Sequence, residues 1–300
     1  MKPTRALLFT LFVTVMVSGG IAHANTIPLG DAANYAVLYE GTGGHNLHIT
    51  NVMISGNIGV GGTGVVQYNG PGTIDGRLDF SAANTGQFHN TNGSNVGPTS
   101  ANYSRGNVTT DLTYLGSLSS SYTSGTPLTL TNAGATINES TGQLETVNGV
   151  ATSVFNVGSY SAINSTVLHI NGDGSGDPVA FDFAFNANVN LSGTVVLGGT
   201  GLSSPDQVLF NFQSSGQNID LNNNGETAFQ GIILAPNDVM SLTHATLDGR
   251  FFGGDSGDMQ IVSGDTLKAP SQVPEPGTLT MLGTGLIALS SLARHRARIV

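Results

Sequence analysis

The chain has 300 residues, 42 of them glycine, with no cysteine and no tryptophan, and only 9% of its residues are charged. Disulfides are excluded, and a helical bundle is disfavoured because its wet faces need far more Glu, Lys and Arg. Between the two ends, four basic residues (Arg77, Arg105, Arg250 and Lys268) stand against eighteen acids. That surplus of negative charge repels phosphate backbones and argues against nucleic acid as a partner.

Residues 1–24 read as a secretory signal that starts helical and is then removed. Lys2 and Arg5 make a positive start, Ala6 to Val17 an apolar run, and Ala22-His23-Ala24 a small-x-small site for signal peptidase. The run is short for a membrane span. Cleavage after Ala24 is the expectation, leaving a domain over residues 25–267.

No charged linker or Pro-rich break interrupts that domain before Lys268. Its front half contains β-type stretches at Ile49 to Val60 and Thr73 to Leu78. Next, Val108, Leu112, Leu115 and Tyr122 fall at helical spacing, with Thr99 or Ser100 as a possible cap and Gly125 as a stop. This predicts one amphipathic helix over about 100–124. Short apolar runs then recur at Val154–Val157, Val167–Ile170, Val179–Phe185, Val189–Leu197, Val208–Phe212, Ile219–Leu221, Phe229–Ala235, Met240–Leu247 and Met259–Val262. Gly, Asn and Asp fill the gaps between them. Phe181, Phe183 and Phe185 alternate onto one face and Asp182 onto the other. Evenly spaced short strands fit a sandwich or a β-solenoid, and Gly-rich corners without clear two-residue hairpin signals favour the solenoid.

The segments Leu29-Gly-Asp-Ala-Ala-Asn-Tyr-Ala-Val-Leu38, Phe155-Asn-Val-Gly-Ser159, Gly231-Ile-Ile-Leu-Ala-Pro-Asn237 and Ala245-Thr-Leu-Asp-Gly-Arg250 resemble the ice-binding-like domain of bacterial adhesins. The later ones are also similar to choice-of-anchor A domains. The resemblance spans roughly residues 29–267 and rests on structural residues. It implies an all-β fold, a right-handed β-solenoid (β-helix) with one flanking α-helix. It implies no catalytic residue, and the ice-binding surface of such proteins is a broad face rather than a motif. Thr194, Thr243 and Thr246 are the threonines that would contribute to such a face.

Motifs for chemistry are sparse. Gly254-Asp255-Ser256-Gly257 has the order of a trypsin-like nucleophile loop, but Asp258 follows where Gly is needed and no base or orienter accompanies it. It reads as a turn. His45 and His48, three apart in strand-like sequence, are expected on opposite faces and therefore not on one metal. Calcium is the ligand with the best sequence support. Asp220, Asn222 and Asn224 match the first half of an EF-hand loop, yet its twelfth position is Gly231 rather than Glu, and Asp173 and Asp177 sit in a similar turn. Tight turns need the same residues without any ion, so no cofactor is expected. A polysaccharide-active enzyme on a β-helix would need clustered carboxylates or a positioned base, which four scattered basic residues and turn-like acid pairs do not supply.

After a linker at 268–272, Val273-Pro274-Glu275-Pro276-Gly277 precedes an apolar run from Thr278 to Ala293 and the basic flank Arg294, Arg296 and Arg298. Such a run rises roughly 24 Å as a transmembrane helix, a little short of a bilayer core, with the arginines cytoplasmic. The order of motif, apolar span and basic end over 273–300 resembles the PEP-CTERM sorting signal of Gram-negative bacteria. That resemblance implies insertion in the inner membrane and processing by exosortase near Pro274-Glu275-Pro276. The expected product is an exported cell-surface or matrix protein with a structural or adhesive solenoid, in contact with extracellular polysaccharide. Ice binding through a flat face is the alternative, and a polysaccharide-active enzyme the second.

Overall fold

The computed structural model describes residues 25–270 apart from 83, 85–86, 91–102, 132–133, 162–165, 226–227 and 256. The secretory signal, with Ala22 and Ala24, and the tail with Val273 to Gly277, Arg294, Arg296 and Arg298, lie outside the described residues. So do the cap candidates Thr99 and Ser100. No helix among the described residues is long and apolar enough to cross a membrane.

Among the described residues the fold is mostly β, with fourteen, seven and three strands in three sheets and almost every pairing parallel. Parallel pairing follows from how the chain travels. From Val208–Phe212 in the large sheet it steps to Asn218–Leu221 in the seven-stranded sheet, then back to Phe229–Ala235 beside its starting strand. The step repeats through Val239–Thr243, Thr246–Gly253 and Met259–Val262, and again through Tyr35–Tyr39, Asn46–Thr50, Asn57–Val60 and Val65–Asn69. In-register stacking is the result. Phe155 pairs with Phe181 and Phe181 with Phe210, their rings 5.5 and 5.2 Å apart, while Phe183 stacks on Phe212 at 4.4 Å. Each such pair adds about 0.5–1.5 kcal/mol beyond the apolar area it buries.

Most predicted strands are found, and several are split: Ile49 to Val60 spans Asn46–Thr50, Met53–Ser55 and Asn57–Val60. Val189–Leu197 divides into Val189–Leu191 and Thr194–Thr200, with Gly193 at φ 86° between them. Met240–Leu247 divides at His244 (φ 50°), so its two halves enter different sheets. One antiparallel pair interrupts the pattern: Gln143–Val147 with Val150–Ser161, joined through Asn148 (φ 49°) and Gly149 (φ 84°). Asn-Gly with both residues at positive φ is the two-residue hairpin signal. The expectation that no such signal exists is therefore corrected.

Sequence order breaks inside the large sheet where Thr266–Lys268 pairs with Met53–Ser55, and again where Tyr35–Tyr39 sits between Thr246–Gly253 and Asn57–Val60. Arg250 closes the second break. Its guanidinium, 1% exposed, donates to both carboxylate oxygens of Asp206 (2.7 and 2.9 Å), to the Tyr35 carbonyl and to the Pro270 carbonyl (3.3 Å).

The predicted helix is observed in shorter form as α1, Val108–Ser119, and Tyr103–Gly106, expected inside it, is instead a strand paired with Leu78–Ser81. Val108, Leu112, Leu115 and Leu118 pack on Leu38, Ala180, Leu209, Ile232, Leu234 and Phe252, the outward side chains of the large sheet. Those strands are consequently buried on both faces, whereas the sheet is open at Met53 and Leu144. The helix ends on tertiary partners: Asn211 Nδ2 (2.9 Å) and Gln213 Nε2 (3.1 Å) donate to the Ser119 carbonyl, and Gln213 also donates to the Tyr122 carbonyl. Both amides donate to Asp182 Oδ1 as well. The outward face assigned to Asp182 is thus the helix-covered side, not solvent.

Two predictions follow from these groups. Arg250→Lys removes the forked geometry and leaves backbone carbonyls without donors, so it should lower unfolding free energy by about 2–4 kcal/mol, read as a shift in denaturant midpoint. An unchanged midpoint would contradict the role given to Arg250. Separately, burial pushes the Asp182 carboxyl up to about 6 and that of Asp265 up to about 7, with hydrogen bonds only partly offsetting it. The folded chain therefore keeps protons that an unfolded carboxyl releases near ~4. This stabilisation is fully present at low pH and is lost as pH rises through 6 to 7. Melting should occur at higher temperature at about pH 5 than at about pH 8; the reverse order would overturn the assignment.

Candidate functional site

The seven-stranded sheet alternates cleanly, with Leu47, Ile49, Val66, Tyr68, Met240, Leu242, Met259 and Ile261 inward and fully buried. Register places Asn190, Asp220, Ser241, Gln260, His48, Gln67 and His89 in one outward rank across it. A neighbouring rank carries Thr243, Val262, Thr50 and Asn69. These side chains bond to one another: Ser241 Oγ donates to Asp220 Oδ1 at 2.6 Å, and Gln67 Nε2 to Asn46 Oδ1 at 3.1 Å.

At one margin of this face Asp258 gathers both histidines. His48 Nε2 is 3.1 Å and His45 Nδ1 3.7 Å from its carboxylate, and the Asn46 N–H donates to it at 2.7 Å. Burial alone raises the Asp258 carboxyl, but the Asn46 N–H and the His48 ring outweigh burial and hold it below the usual range. The opposite-face expectation for His45 and His48 is corrected. His45 precedes the strand Asn46–Thr50, so strand alternation does not apply to it. No three His, Cys, Asp or Glu side chains among the described residues are arranged to hold a metal ion.

The threonines proposed from sequence do not share a face. Thr194 is buried in the three-stranded sheet, Thr243 lies on the seven-stranded one and Thr246 on the large one. Instead, Thr246 is in register with Thr266, Thr266 with Met53 and Met53 with Thr73, with Met53 55% exposed. Sequence reading missed Thr266 and Thr73 because each sits in a strand of only two or three residues. Recurrence of Thr one sheet-to-sheet circuit apart is the signal that finds them.

The calcium candidates have other work. The Asp173 carboxylate accepts the Ser175 N–H at 2.9 Å, which with the Ser175 hydroxyl lowers its pKa. Asp177 accepts from Asn25, and Asp220 from Ser241. Asn222 Oδ1 accepts the Asn224 N–H at 3.4 Å, with Asn224 itself at φ 54°. The bonds of Asp173 and Asn222 are turn-closing ones of the kind Asx side chains make unaided, while those of Asp177 and Asp220 tie separate segments together.

Parallel strands circulating between sheets, one helix sealing the largest of them, and a polar outer face elsewhere define a β scaffold that presents surfaces. Residues 13–258 match the ice-binding-like adhesive domain family, and the chain belongs to that family. Residues 272–297 match the PEP-CTERM protein-sorting motif, which marks an exported chain. Among solved structures, an ice-binding protein from the Antarctic ascomycete Antarctomyces psychrotrophicus is 17% identical with a TM-score of 0.50, covering 83% of this chain and 100% of that one. An ice-binding protein from an Antarctic bacterium of the Flavobacteriaceae is 18% identical with a TM-score of 0.49, covering 84% of this chain and 49% of that one. The first likeness shows a shared fold. No curated protein matches the chain.

Because no three acidic side chains among the described residues converge on one point, millimolar calcium should leave the melting temperature unchanged. A rise that grows with calcium concentration would mean that an ion binds the folded state.

Proposed function

We propose that the chain is an exported cell-surface or matrix protein whose β domain is a right-handed β-solenoid, stiff, acidic and non-catalytic, serving as a structural or adhesive module. In this reading signal peptidase removes residues 1–24 and a short linker at 268–272 follows the domain. Residues 273–300 then hold the chain in the inner membrane of a Gram-negative cell, with Arg294, Arg296 and Arg298 cytoplasmic, until exosortase acts near Pro274-Glu275-Pro276. The observation that carries the reading is the pairing, in one chain, of an adhesive-domain family match with a sorting-motif match beginning at residue 272. The outward rank of Asn, Asp, Ser, Gln and His suits hydroxyl-rich extracellular polysaccharide, which offers donors and acceptors at irregular positions. Replacing Pro274, Glu275 and Pro276 together by alanine should leave the full chain unprocessed in the membrane fraction, seen as a heavier band on immunoblots. Normal processing of that variant would remove the sorting assignment.

A second reading is ice binding. It draws on the family and on the threonine rank Thr246–Thr266–Thr73, which Met53 interrupts. Thermal hysteresis by the full chain, reduced when Thr266 is changed to Lys and unaffected by Ser241→Lys, would favour it over adhesion. Absence of hysteresis and of recrystallisation inhibition would dispose of it.

A further inference from the structure

A cavity of about 490 Å³ lies between α1 and the turn that follows the strand Tyr35–Tyr39. Glu40, Asp255, Thr42, Ser81, Thr113 and Asn237 are on its wall, and among the described side chains no Lys or Arg lines it. Its volume falls in the range of small-molecule sites, roughly 300–1,000 Å³. Two features set it apart from a packing defect. The Ser81 side chain is fully buried and its hydroxyl meets no protein partner, an arrangement that costs free energy unless something else bonds to it. Gly116 stands inside the helix, also on the wall, and a Cβ placed there would touch nothing within 4 Å. Packing does not demand glycine at that point, and glycine weakens a helix relative to alanine. The open volume is what glycine preserves.

We propose that this cavity binds a small hydroxylated organic cation with the size and chemistry of an aminosugar. The ammonium is taken by the carboxylates of Glu40 and Asp255, and ligand hydroxyls meet Ser81, Thr113 and Asn237. Asp255 already accepts from Thr42 Oγ1, which leaves further lone pairs for a ligand. Burial first, and then the Asp255 charge, hold the Glu40 carboxyl up to about 7. The residues of α1 on the wall, Thr109, Leu112, Thr113 and Gly116, bring no charge toward it. An arriving cation restores the Glu40 charge, so binding near neutral pH releases a proton. The site is independent of the sorting signal and of the outward ranks.

The test is calorimetric titration of the full chain in mild detergent with glucosamine, glucose, N-acetylglucosamine and calcium chloride, each in two buffers of different ionisation heat. Glucosamine should bind with proton release, and the two neutral sugars roughly tenfold more weakly or worse, having lost a charge-assisted contact. Glu40→Gln should weaken glucosamine binding roughly tenfold and abolish the proton release. Gly116→Leu should fill the cavity and eliminate binding while leaving the melting temperature at or above that of the parent, which separates loss of the site from loss of the fold. The proposal is overturned by equal binding of glucose and glucosamine, by unchanged binding in Gly116→Leu, by calcium displacing glucosamine from the same site, or by no glucosamine heat up to ~10 mM.

Discussion

The guanidinium of Arg250 and the carboxylate of Asp206 form the contact that pins the seam of the large sheet between Thr246–Gly253 and Tyr35–Tyr39. Most strands of that sheet are brought to their neighbours by the short circuit of chain joining them. Between Thr246–Gly253 and Tyr35–Tyr39 no such connection exists, and register there rests on the ladder Val37↔Phe251, Leu38↔Phe252 and Tyr39↔Gly253. Arg250 adds a point constraint beside that ladder by holding the Tyr35 carbonyl, and a second by holding Pro270 at the end of the described chain. An apolar side chain of similar size would fill the space but leave those carbonyls without donors. Asp206 makes the arrangement tenable, because an unpaired guanidinium in that position would carry the full cost of desolvation.

The same economy of charge operates at the corners. Asp238 accepts the Gln217 N–H, Asp265 the Ala245 N–H and Asp75 the Gly56 N–H, each from the adjoining turn. Asn223 accepts the Thr246 N–H and donates to the Thr246 carbonyl, and Asn84 donates to the Gly61 and Gly64 carbonyls. Parallel strands leave backbone groups at every corner that no ladder can satisfy, and short Asx side chains reach them with little entropy loss. An acidic composition with few bases is therefore what this architecture needs. Burial holds Asp238 and Asp265 above the ordinary carboxylate range, which lessens the repulsion that so many acids would otherwise create.

Periodicity made the repeating half of the fold legible. Val208–Phe212, Phe229–Ala235 and Met259–Val262 occur as read, because a run buried on one or both faces carries its own pattern. Helix α1 was visible in Val108, Leu112 and Leu115 for the same reason, although its start at Val108 owes nothing to Thr99 or Ser100. Strand order was not legible: nothing local in Tyr35–Tyr39 says that its neighbour is Thr246–Gly253. The convergence of His45 and His48 on Asp258 was hidden because alternation holds only inside a strand, and His45 is outside it. The cavity beside α1 was equally hidden, since Glu40, Ser81, Gly116 and Asp255 are united only by how the helix is laid on the sheet.

How the outer surfaces differ bears on which function fits each of them. In both exposed ranks the backbone repeats at the strand spacing of about 4.8 Å. A crystalline ligand requires the side chains to repeat as well, so that each strand offers the same group at the same height. The rank through Asn190, Asp220, Ser241, Gln260, His48, Gln67 and His89 changes chemistry at nearly every strand and suits a partner that is itself irregular, such as a hydrated polysaccharide. The rank Thr246, Thr266, Met53 and Thr73 repeats in three of its four places, and Met53 sets an exposed thioether where the lattice would need a hydroxyl. With α1 covering the middle strands of the large sheet, the adhesion proposed above would fall to the seven-stranded face. Ice binding asks for a regularity that Met53 denies.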